Sequence, residues 1–104
     1  MMGEVVTYSC TETTAFCQLK LDSGERILIS LAGSPGPSIK IVKLALGGLI
    51  PVKTIWGTDS PGRETLRLFG DRAYEVDSGK GILDLYKDEL IRCKSIAEVR
   101  QRLS

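Results

Sequence analysis

The sequence predicts an α+β fold, and three observations carry that prediction. Strand-like alternation opens the chain, with Val6, Tyr8 and Cys10 interleaved with Val5, Thr7 and Ser9. Helix-like spacing closes it, with Ile82, Tyr86, Leu90 and Cys93 recurring at i, i+4, i+8 and i+11. A length of 104 residues, 42% hydrophobic and 26% charged, suits one domain spanning residues 1–104 with its own core. Strands followed by helices place the helices on one face or end of a mainly antiparallel sheet, here of about five strands.

The first two strands flank the polar turn at residues 11–14, after which Cys17, Leu19 and Leu21 alternate with Gln18 and Lys20. Asp22-Ser23-Gly24 then reverses the chain towards Ile27, Ile29 and Leu31. Gly24 stands where a three-residue hairpin loop requires a left-handed residue. That register pairs Leu19 with Ile27 and Cys17 with Ile29 on one face. In the preceding hairpin, a four-residue loop sets Cys10 opposite Ala15 and Cys17 opposite Tyr8. The thiols of Cys10 and Cys17 are then diagonal neighbours about 7–8 Å apart at Cα, too far for a disulfide without backbone movement.

Gly33-Ser34-Pro35-Gly36-Pro37 breaks the pattern. Residues 38–46 fit a short helix, because Lys40, Lys43 and Gly47 form one polar stripe that Ser38 caps and Gly47-Gly48 ends. The β-branched Ile39, Ile41 and Val42 argue for a strand instead. Residues 49–56 read as a strand, with Pro51 confined to an edge or to the first residues of the strand. Beyond a loop at residues 57–62, alternation predicts a second hairpin in which Gly70-Asp71-Arg72 pairs Leu68 with Tyr74 and Leu66 with Val76. The last segment opens on a capping box, Ser95-Ile96-Ala97-Glu98, and continues its apolar stripe through Val99 and Leu103.

The residue inventory narrows the chemistry. There is no histidine, which removes the usual general base, the usual zinc ligand and the Ser-His-Asp and Cys-His constellations. Three cysteines are too few for a four-thiolate zinc site. No Gly-rich phosphate loop or dinucleotide fingerprint is present, and Asp77-Ser78-Gly79-Lys80-Gly81 reads as a turn. No catalytic residue, cofactor or metal site is therefore expected. The N-terminus lacks the basic and apolar regions of a secretory signal. With an odd number of cysteines, it points to a reducing, cytoplasmic setting. No apolar run has the length of a membrane span.

Fourteen Lys and Arg against thirteen Asp and Glu leave almost no net charge, but the distribution is uneven. Lys40, Lys43 and Lys53 fall in a stretch without acids, and Trp56 lies close by. Arg63 lies at the end of the loop before the expected second hairpin, and Arg67 follows on its first strand. These five are the candidate anion contacts, for nucleic acid or a phosphate ligand. The stronger expectation is a binding domain that docks a protein partner or a second copy as a homodimer. Its candidate interface is Leu49, Ile50, Val52, Ile55 and Trp56, because apolar residues occupy both parities of one proline-bearing strand. On this reading, Ile55→Asp weakens association and leaves the fold intact.

Overall fold

The computed structural model describes residues 2–11, 14–33, 36–57, 62–76 and 78–104. Five strands form one antiparallel sheet in chain order: β1 (Glu4–Cys10), β2 (Ala15–Lys20), β3 (Arg26–Ala32), β4 (Ser38–Ala45) and β5 (Gly48–Trp56). Three helices follow, α1 (Arg63–Phe69), α2 (Gly79–Leu90) and α3 (Ile96–Leu103), with a 3-10 turn at Gly70–Tyr74 after α1.

The β2–β3 hairpin has the register that its alternation predicts. Leu19 pairs with Ile27 and Cys17 with Ile29, and all four are fully buried. Each buried aliphatic of that size contributes roughly 1.5–3 kcal/mol, so this face outweighs any local preference nearby. The loop closes on Leu21 and Glu25, and Gly24 sits at φ +89°. The β1–β2 hairpin also matches: Tyr8 faces Cys17 and Cys10 faces Ala15. Its loop residues 12–13 lie outside the described part. A bulge at Val6 shifts the register of β1 by one residue.

Three expectations fail. Gly79–Gly81, expected in a turn, form the first turn of α2 under the Ser78 cap. The stretch expected as a helix forms strand β4 (Ser38–Ala45), paired with β3 along its length and with β5 through a two-residue turn at Leu46-Gly47. Ile39 and Ile41 enter the core, whereas Lys40 and Lys43 point to opposite sides of the sheet. The helical lysine stripe was a coincidence of spacing, and the β-branched residues decided the outcome. The second hairpin is also absent. Residues 63–69 are helical, burying Thr65 and Phe69 at i and i+4. Gly70 does adopt a left-handed φ of +59°, but its N–H bonds back to the Leu66 carbonyl and ends a helix. One glycine conformation serves both kinds of chain reversal, and alternation of four residues was too short to separate them.

Helices cover one face only. Ile82, Leu83, Leu85, Tyr86 and Leu90 of α2 and Ile96, Val99 and Leu103 of α3 join Cys93 over the inward residues of β2, β3 and β4. α2 lies on β2 and β3, and α3 reaches β5. Tyr86 anchors α1 here, with its ring edge-on to Phe69 at 4.9 Å and its hydroxyl 3.2 Å from that of buried Thr65. Ser95 caps α3 by accepting from the Glu98 N–H, and Glu98 in turn accepts from the Lys94 N–H at 2.8 Å.

Glu25 fastens the β2–β3 turn to the α2–α3 junction. Its carboxylate accepts from the Ile96 N–H at 3.1 Å and the Ser23 hydroxyl at 2.9 Å, and Lys43 lies 3.2 Å away. The Ile96 N–H, foremost, then the Ser23 bond and Lys43, hold this carboxyl below its ordinary value. A more acidic folded-state carboxyl stabilises fully above the unfolded value of about 4.3, and the contribution is lost as pH falls through the folded value. Glu25→Gln should cost about 1 kcal/mol in urea unfolding at neutral pH. The difference from wild type should shrink on acidification; a gap that does not depend on pH would remove the charge from this account. Gly24→Ala should likewise cost about 1 kcal/mol or more, because a Cβ is strained at that φ. Unchanged urea stability would show that the loop relaxes.

Candidate functional site

A one-sided helical layer leaves the opposite face of the sheet, and the end of its longest hairpin, facing solvent. Register assigns the residues of that outer face in cross-strand rows. One row runs Thr7, Gln18, Leu28, Val42, Pro51. The next runs Ser9, Phe16, Ser30, Lys40, Thr54, and beyond it lie Ala32, Ser38 and Trp56. At the opposite end the row is Glu4, Lys20, Arg26, Leu44, Leu49, and it leads into the β4–β5 turn. Leu28, Val42 and Leu44 are half-buried, Phe16 and Trp56 are exposed, and Leu46 at the turn is fully exposed. Ser38 is the exception on this face: it is fully buried, and its hydroxyl finds no hydrogen-bond partner among the described residues.

The five apolar interface candidates separate. Leu49 and Trp56 are on the outer face, at 60% and 54% exposure. Ile50 lies on the helix side but at the hairpin end, and it remains exposed. Val52 is the extra residue of a bulge opposite Ile41 and Val42 and packs partly against the core. Ile55 is a correction. It pairs with Ile39, is only 4% exposed and belongs to the core beneath the helices. The bulge explains the error, because an inserted residue inverts the parity between Pro51 and Lys53. Ile55→Asp would therefore bury a charge and unfold the protein, and it says nothing about an interface.

The cationic candidates do not converge either. Lys43 and Lys53 point to the helix side and pair with Glu25 at 3.2 Å and Glu64 at 3.3 Å. Arg63 and Arg67 are exposed on α1, not on a strand, and Arg67 donates to the Leu103 carbonyl at 3.5 Å. Lys40 alone of the five sits on the outer face, and among the described residues it has no ion pair. Leu46 and Phe16 are exposed apolar residues that the sequence pattern did not mark as candidates. The signal for Leu46 was its place beside Gly47 between two β-rich runs, which is a hairpin turn once 38–46 is read as a strand.

The densest polar cluster holds β1 to α2. The Tyr8 hydroxyl donates to Asp84 Oδ1 at 2.9 Å, and Lys87 Nζ approaches the same oxygen at 3.4 Å while lying 5.2 Å from the Tyr8 ring centre. A shallow depression of about 330 Å³ opens beside them, lined by Val5, Tyr8, Lys80, Asp84 and Lys87. Burial and the bond to Asp84 push the Tyr8 hydroxyl up to about 12. A phenol that holds its proton so firmly, beside a lysine matched by Asp84 and Asp88, is a structural tether and a poor proton shuttle at neutral pH.

The three cysteines are free, with Cys17 and Cys93 buried and Cys10 exposed. Burial raises both buried thiols, which makes them poor nucleophiles. Among the described residues no group of three His, Cys, Asp or Glu side chains is placed to hold a metal ion. Nor is any helix there long and apolar enough to cross a membrane. Comparison with protein-family models, with curated proteins and with solved structures finds no match.

Proposed function

We propose that this protein is a non-catalytic binding module that associates through the tip of its β4–β5 hairpin, with a second copy of the chain as the occupant. The observation that carries this reading is Leu46, fully exposed at 112% on a two-residue turn, flanked by Leu49 at 60% and Ile50 at 44%. No charged residue lies between Lys43 and Lys53 to keep this projection in water. Apolar projections of this kind mark contact sites, because each exposed leucine raises the free energy of the isolated surface.

The surroundings of the tip favour a copy of the same chain. A shallow depression of about 610 Å³ lies beside it, bordered by Gly24, Glu25, Arg26, Lys43 and Leu44. A two-fold contact can set the Leu46 tip of one protomer in the depression of the other, and the reverse contact follows by symmetry. Both charge signs line that depression, so the pairing brings no single-sign repulsion.

Sedimentation velocity across micromolar concentrations tests the reading. Wild type should show reversible dimer formation. Leu46→Asp should be monomeric throughout with an unchanged urea midpoint, since residue 46 touches no core. A wild type that stays monomeric would overturn self-association and leave the tip to a different protein. A photo-crosslinker at position 46 would then capture that protein, and one on α3 at position 100 would not.

A further inference from the structure

The upper half of the outer sheet face has a chemistry that the hairpin tip lacks. Phe16 and Trp56 expose aromatic rings there, at 40% and 54%. Lys40 lies in the Phe16 row two strands away, and Trp56 is its diagonal neighbour on β5. Strand spacing of about 4.8 Å puts Lys40 about 10 Å from Phe16 and about 7–8 Å from Trp56 at Cα. Hydroxyl residues Ser9, Ser30 and Thr54 fill the rest of that row, so the rings stand among short side chains.

Among the described residues the charge on this face is mainly positive. Lys20, Arg26 and Lys40 point outward, and the only described carboxylate that register adds is Glu4, which is 4.0 Å from Lys20. The helix side differs, because its lysines at 43, 53 and 87 each have a carboxylate close by. A second copy stacked face to face would oppose cation to cation, so the occupant of this face is an anion. Separated aromatic rings on a sheet with a cation between them match planar bases joined by phosphates. An acidic polypeptide satisfies the cations but gives the two rings no stacking partner.

We propose that this face binds single-stranded nucleic acid. Phe16 and Trp56 stack bases, Lys40 holds the phosphate between them, and Lys20 and Arg26 extend the positive field along the face. Phe16, Lys40 and Trp56 lie away from the Leu46 tip, whereas Arg26 borders the depression beside it, so binding is tested where association at the tip is removed.

Trp56 is the only tryptophan, so its fluorescence reports occupancy directly. A short oligothymidylate is titrated into the Leu46→Asp protein, so that self-association does not contribute. The expected result is saturable quenching whose affinity falls roughly tenfold between about 50 and 200 mM salt, as two or three phosphate contacts require. Lys40→Glu and Phe16→Ala should each weaken binding by about tenfold without changing the unfolding midpoint, and Arg100→Glu on α3 should change nothing. Absence of quenching overturns the proposal. So does equal quenching by polyglutamate of matched charge, which would make this a surface for acidic polypeptides. Equal affinity for duplex DNA overturns it as well, because stacked base pairs offer no ring faces.

Discussion

The left-handed backbone at Gly24 lets the chain reverse in three residues, and that reversal sets Leu19 against Ile27 and Cys17 against Ile29. These pairs determine which parity of β2 and β3 is inward. Strand β4 then aligns Ile39 with Leu31 and Ile41 with Ile29, so the inward parity passes along the sheet. The same turn reaches back to the helices, because Ser23 donates its N–H to the Lys94 carbonyl and Glu25 accepts from Ile96. A one-residue slip here would turn the buried set towards water and unseat α3 at once.

One helical layer on a five-stranded sheet leaves the second face open, and that face is where function has room. The apolar content of β4 and β5 exceeds what the core can take, since Ile39, Ile41 and Ile55 satisfy the inward side. The remainder, from Val42 through Leu46 and Leu49 to Trp56, lies outward or at the hairpin end. The two proposed contacts divide this surface by chemistry: leucines and mixed charge at the tip, aromatic rings and Lys40 on the upper face. The polar groups on the other side are occupied in holding helices to strands, as Tyr8 with Asp84 and Lys53 with Glu64 illustrate.

Legibility in the sequence followed the range of the forces involved. The β2–β3 hairpin and the loop end of the β1–β2 hairpin were readable to the residue, because turn geometry and alternation act within a dozen positions; the bulge at Val6 was not. The α2 stripe and the Ser95 cap of α3 were readable for the same reason. At residues 38–46 local signals conflicted, and pairing with β3 and β5 settled the matter, which no local pattern contains. At residues 63–76 the local signals agreed on a hairpin and were wrong. Burial of Phe69 against Tyr86 and of Thr65 against its hydroxyl rewards a helix through contacts to residues far along the chain.

The candidate surface shows the same division. Sequence alone determined that residues 44–56 hold more apolar side chains than one face of a strand can bury, and that histidine-based chemistry is absent. It also restricted Pro51 to an edge or to the first residues of its strand, since a missing N–H cannot serve an interior ladder, and the sheet order makes β5 an edge. Only the tertiary structure decided which of those apolar residues face solvent. A single bulge beside Pro51 reversed parity and sent Ile55 inward, while Leu46 was carried to the tip of a hairpin. Parity is a property of the paired strands, and an inserted residue is recorded in the pairing with β4 and nowhere in the spacing of β5 itself.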